Sequence, residues 1–151
     1  MFELTPSDQV SCADLRELAQ SEAGGKLKSI TDDLIDLSTM FSEANGQPDL
    51  LVKLETIEDD RCRKFHLDNV KARLVVTYHG PGTQWVTPGD EERALHEQTA
   101  FTGPISEVAV GNVAMFFGKK SDRATLILHR SAPIESRKLR RLVAVIDFAS
   151  A

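Results

Sequence analysis

Apolar and polar positions change their rhythm once along this chain. In the first third the period is helical: Ile30, Leu34, Leu37, Phe41 and Ala44 recur at intervals of four and three residues and form one apolar stripe. Asn45-Gly46 supplies the stop and Pro48 reinforces it. A weaker helix precedes this one. Ser11 followed by Asp14 reads as its start, Leu15 and Leu18 share a face, and Gly24-Gly25 ends it.

After Pro48 the period shortens to two, with Val52 and Leu54 alternating with Lys53 and Glu55 as on a half-buried strand. Strand-forming runs follow at 71–79 (KARLVVTYH), 107–110 (EVAV), 113–117 (VAMFF), 124–129 (ATLILH) and 141–148 (RLVAVIDF). Turn signals divide them at Gly80-Pro81-Gly82, Pro88-Gly89, Gly103-Pro104, Gly111-Asn112, Gly118 and Pro133. The pattern predicts a mainly β fold with N-terminal helices. The expected architecture is a double-stranded β-helix, that is, a jelly-roll or cupin-like barrel over 48–151, with a helical part over 1–47 packed on it. No repeat or linker interrupts the pattern, so residues 1–151 read as a single domain. The polar segment 88–103 reads as a mobile loop beside a site.

Composition narrows the class. A chain of 151 residues, 41% hydrophobic and 27% charged, has the balance of one soluble globular domain. A net charge of −5 argues against a dedicated nucleic-acid binder. The start, MFELTPSDQ, lacks the basic leader and apolar run of an export signal, and no apolar stretch approaches the roughly 18 residues of a membrane span. Cys12 and Cys62 are too few for a disulfide framework. The expectation is a cytoplasmic protein with free thiols and no membrane association.

The candidate chemistry lies in KFHLDN, residues 64–69. On an extended segment residues i and i+2 share a face, so His66 and Asp68 point the same way from backbone positions about 7 Å apart. His129 ends an apolar run and is the candidate third ligand. Two histidines and a carboxylate on one side of a metal leave other positions open, the facial arrangement of non-haem iron sites. Their ligand atoms are expected to converge within about 3–5 Å.

At these residues the chain resembles a family. His66-x-Asp68, Arg73, Thr77-Tyr78 and Gly82-Thr83-x-Trp85 resemble the first half of prolyl-hydroxylase-like 2-oxoglutarate/Fe(II) dioxygenases. The strand 111–117 and His129-Arg-Ser-Ala-Pro133-Ile134, followed by Arg140-Arg141, resemble the second half. The likeness covers roughly residues 60–148. Asp68 to Gly82 is shorter than in that family, and Tyr78 falls earlier. A closer resemblance, through CRKFHLDNVKARLVVTYHGPGTQW and HRSAP, is to a bacterial domain-of-unknown-function family that implies no activity and occurs in genomic settings linked to zinc supply.

The hydroxylase resemblance implies Fe(II) held by His66, Asp68 and His129. It implies 2-oxoglutarate bound by Arg141 or Arg140 with Tyr78 or Thr77. Register from the final aromatic favours Arg141, whereas strand parity puts Arg140 on the face of Leu142, Ala144, Ile146 and Phe148. Trp85 and Arg73 are candidate substrate contacts, with the plain reading of Trp85 a core cap. His79 and His96 read as solvated. Arg130, Arg137, Lys138, Arg140 and Arg141 form a local basic cluster, a solvated rim or an anion dock. Two other readings use the same residues. One is a cupin-like zinc protein for metal storage, delivery or sensing, with Cys62 as a fourth ligand. The other is a non-enzymatic barrel that binds a partner through its basic rim.

Overall fold

The computed structural model describes residues 9–11 and 25–149. The chain is mainly β, with antiparallel sheets and helices. The elements are β1 (Gln9–Ser11), α1 (Gly25–Asn45), β2 (Leu50–Ile57), β3 (Ala72–His79), β4 (Gln84–Val86), α2 (Glu91–Glu97), β5 (Ile105–Glu107), β6 (Val113–Phe117), β7 (His129–Arg130) and β8 (Arg141–Phe148). They form a five-stranded sheet in the order β1-β2-β8-β3-β6 and a three-stranded sheet in the order β5-β4-β7. From β3 onward the chain passes back and forth between them, with β4 and β5 both in the smaller, and among the described residues the sheets do not close into the expected barrel.

Four layers result. One face of the larger sheet packs on α1 through Leu50, Val52, Leu54, Ala72, Leu74, Val76, Ala144 and Ile146, which meet Leu34 and Phe41 of the helix. Phe41 and Phe148 stack with ring centroids 4.7 Å apart. The other, inner face carries Ile57, Val75, Phe116 and Val143, packed with Ile134, Trp85 and Ile127. The smaller sheet is covered in turn by α2 and its flanks, where Ala94 and Phe101 meet Phe65, Val86 and Leu128. Strands covered on both faces lose the alternation expected of a half-exposed sheet. β3 accordingly buries Leu74, Val75, Val76 and Thr77 in succession.

The expected stripe of α1 is buried at Leu34 and Phe41 and partly buried at Ile30 and Leu37, but Ala44 is exposed. Asn45 Nδ2 donates to the Phe41 carbonyl (2.9 Å), and Gly46 adopts φ +62°, the left-handed conformation in which glycine carries no Cβ penalty. The weaker helix expected after Ser11 lies outside the described residues except at its ends. Ser11 closes β1, and Gly25 opens α1.

The strands at 113–117 and 141–148 form as expected. Only His129 of the run 124–129 joins a strand, and 107–110 contributes only Glu107, because β5 begins earlier, at Ile105. Segment 88–103 is not an open loop. It forms α2 and a 3₁₀ turn at Gln98–Ala100, anchored by buried Ala94 and Phe101. Among the described residues no helix is long and apolar enough to cross a membrane.

Candidate metal centre and a buried arginine

His66 and His129 are brought together by backbone pairing. They form an isolated antiparallel bridge, His66 N–H to His129 O at 3.0 Å and His129 N–H to His66 O at 3.2 Å. Extended backbone on both sides of the bridge turns the two rings toward each other, with centroids 4.8 Å apart. The bridge is clamped by Gln98, whose side chain accepts from Phe65 N–H (2.8 Å) and donates to Phe65 O (3.2 Å). Sequence reading missed Gln98. A polar residue at the end of a short amphipathic helix carries no signal of a partner 33 positions away.

Asp68 sits between the rings. His129 Nε2 lies 3.0 Å from Asp68 Oδ2, and His66 Nε2 lies 3.4 Å from Asp68 Oδ1. The ligand atoms of all three residues lie within 4.8 Å of one another. Two ligands about 2.1 Å from one ion and at right angles would be about 3 Å apart, close to these separations. The side chains are 35%, 12% and 7% exposed for His66, Asp68 and His129, so one side of the group opens outward. Phe116 stacks on His129 at 4.0 Å and closes the other.

The chemistry of the donor set fits a cation. His66 Nδ1 faces the Lys64 carbonyl at 2.7 Å, and His129 Nδ1 faces the Ile127 carbonyl at 3.2 Å. A carbonyl only accepts, so each Nδ1 carries its proton and each Nε2 of a neutral ring offers a lone pair. A lone pair facing a carboxylate requires a proton or a metal ion between them. The Asp68 hydrogen bond accordingly raises the His66 pKa above its ordinary value, against the opposing effect of burial. Burial pushes the Asp68 carboxyl up, but the hydrogen bonds from His129 and His66 and the charge of Arg73 prevail and hold it well below the usual carboxylate range.

Arg73 is the residue that supports Asp68. One guanidinium nitrogen lies 3.0 Å from Asp68 Oδ1, while Nε and the other terminal nitrogen grip Asp147 at 2.7 and 2.8 Å. It is thus engaged by two carboxylates. Trp85 pairs with His129 across β4 and β7 and packs with the inner-face core, in keeping with the core-cap reading.

Farther along the same inner face lies Arg141. Its side chain is among the largest fully buried ones, at 1% exposure. Nε donates to the Pro81 carbonyl (2.6 Å), and one terminal nitrogen lies 3.5 Å from Thr77 Oγ1 and 3.4 Å from Thr83 Oγ1. Among the described residues the other terminal nitrogen is buried without a hydrogen-bond partner. Burial pushes the Arg141 pKa down, only partly opposed by the charge of Glu107. The Gly80-Pro81-Gly82 turn can present its carbonyl because it lies against backbone: a Cβ on Gly82 would come 1.8 Å from the Val108 carbonyl oxygen. Arg73 and Thr77 both lie on the inner face of β3, roughly 13 Å apart along the strand.

The structure separates the remaining candidates. Arg140 points to solvent and pairs with Glu58 at 2.7 Å, because the face it was assigned to is filled by α1. Tyr78 also faces α1, and its hydroxyl meets Asp33 Oδ2 at 2.5 Å. Thr77 faces inward and reaches Arg141. The basic cluster is dispersed: Arg130 is buried, with its guanidinium 4.3 Å from the Phe65 ring centroid, whereas Arg137 and Lys138 are exposed. Cys62 is exposed and is not among the grouped donors. His79 and His96 are exposed, as their polar surroundings implied.

The class these features define is a two-sheet, mainly β protein with a His–Asp–His group at the smaller sheet and a buried arginine on the inner face of the larger. The chain belongs to the family described as "Protein of unknown function (DUF1826)", which matches residues 2–147. No curated protein matches the chain.

Proposed function

We propose that this protein is an Fe(II)/2-oxoglutarate-dependent oxygenase of the hydroxylase type. The observation that carries the reading is the combination of a three-residue donor group at β7 of the smaller sheet with a buried arginine on the inner face of the larger sheet that no carboxylate contacts among the described residues. The two facing sheets, between which the chain passes back and forth, are read as an open jelly roll related to the prolyl-hydroxylase-like dioxygenases.

In this reading His66, Asp68 and His129 hold the metal through Nε2, a carboxylate oxygen and Nε2. Their backbone-bonded Nδ1 atoms fix both rings, and Arg73 orients Asp68. Arg141 receives the distal carboxylate of 2-oxoglutarate through its unpartnered nitrogen, with Thr77 and Thr83 fixing the guanidinium plane. Fe(II) with 2-oxoglutarate supplies the activation of O₂ for substrate hydroxylation. Phe116 and Trp85 keep water from the inner side.

Purified protein given Fe(II), ascorbate and 2-oxoglutarate should release succinate above a metal-free control. Asp68→Ala should suppress the release, and Zn(II) should inhibit it as a redox-inert occupant of the same ligands. Arg141→Ala should abolish 2-oxoglutarate binding, measured by calorimetry, while leaving metal uptake nearly intact. Tight zinc uptake with no succinate under any condition would falsify the oxygenase reading and leave a zinc storage, delivery or sensing protein in its place.

A further inference from the structure

A second cavity lies on the far side of Arg73 from the triad. It encloses about 530 Å³ between the ends of β2 and β8 and the turns at 68–71 and 118–120, and its lining includes Leu51, Val70, Lys71, Lys120, Asp147 and Phe148. That volume lies within the roughly 300–1,000 Å³ range of small-molecule sites.

Its charge is not balanced internally. The one carboxylate in the lining, Asp147, is gripped by Arg73, and among the described residues neither Lys71 nor Lys120 makes an ion pair. The backbone nevertheless holds these two like charges on one wall. Gly118 N–H donates to Lys71 O (3.2 Å), Lys119 N–H to Asp68 O (2.9 Å) and Lys120 N–H to Val70 O (3.1 Å). Gly118 permits the approach, since a Cβ there would lie 2.3 Å from the Val70 carbonyl oxygen. Leu51, Val70, Phe148 and Ala149 supply the apolar part of the lining, and Leu51 is left 36% exposed on a strand whose other apolar residues are covered.

From this we infer that the cavity binds a small amphipathic anion: a carboxylate or phosphate held by Lys71 and Lys120, on an apolar body lying against Leu51, Val70 and Phe148. Two exposed ammonium groups without an ion-pair partner, set beside an apolar lining, favour an amphipathic anion, which adds charge-assisted bonds to apolar burial. The shared wall at Arg73 puts such a ligand one guanidinium away from Asp68. The inference does not depend on what the triad holds.

Metal-free full-length protein titrated by calorimetry with octanoate, octyl phosphate and octyl glucoside tests it. The two anions should bind with one site each, and the neutral glucoside at least about tenfold more weakly. The double substitution Lys71→Gln, Lys120→Gln, at exposed positions outside the core, should weaken both anions by about tenfold or more and leave the glucoside unchanged. Whichever anion binds more tightly identifies the head group. Binding of the glucoside equal to that of the anions, unaltered anion binding in the double variant, or no binding of any probe would each overturn the proposal.

Discussion

Two arginines on one inner face are treated in opposite ways. Arg73 spends its donors on two carboxylates, Asp147 and Asp68. Arg141 is more deeply buried, yet it meets only a carbonyl and two hydroxyls and keeps one nitrogen unpartnered. A buried cation is costly unless an opposite charge compensates it. The Arg73 region is therefore electrostatically closed, a support for Asp68, whereas Arg141 has no carboxylate in direct contact among the described residues and feels Glu107 only at a distance. The difference teaches that burial of a charge alone does not mark a binding group; the lack of a carboxylate in direct contact does.

The largest effect is expected from breaking the closed region. Arg73→Ala leaves two carboxylates facing each other without their cation and should cost about 2–3 kcal/mol, discounted from a fully buried pair because Arg73 is partly exposed. Urea midpoints at unchanged slope measure it. Next is the cradle of the open region. Gly82→Ala forces a methyl group against the Val108 carbonyl and should destabilise by about 2 kcal/mol in the same assay. It should also weaken 2-oxoglutarate binding by moving the Pro81 carbonyl.

Arg141→Met should by contrast change stability by no more than about 1 kcal/mol in either direction, because an apolar side chain replaces a buried cation that no carboxylate contacts directly. If it destabilises more than Arg73→Ala, the comparison between the two regions is wrong.

The smallest effect belongs to acid. Asp60 accepts the backbone N–H groups of Ile134 (2.7 Å) and Glu135 (2.8 Å), ahead of the approach to Arg141. Those bonds lower its pKa below the ordinary 3.8. A depressed folded value means that its stabilisation is present above 3.8 and disappears as the pH falls through the lower folded value. Asp60→Asn should flatten the melting temperature against pH only in that acidic window.

Local sequence carried a good part of this. The interval of four and three from Ile30 to Phe41 identified α1, since one helical face must be apolar to dock on a sheet. The β-branched runs at 71–79 and 141–148 identified the two central strands of the larger sheet. His66, Asp68 and His129 were legible as a set because residue type and i, i+2 spacing are local properties and the final histidine ends an apolar run.

What the sequence could not decide was which face is the inside. β3 and β8 are apolar on both sides, so parity alone put Arg140 with the inner residues. Only the docking of α1 on Leu142, Ala144, Ile146 and Phe148 turned that face away and left Arg141 inside. The same layer took Tyr78 toward Asp33, and the fourth layer converted 88–103 from a loop into the clamp on Phe65. These outcomes depend on contacts between residues far apart in the chain, and no local period encodes which of two apolar faces a distant helix will cover.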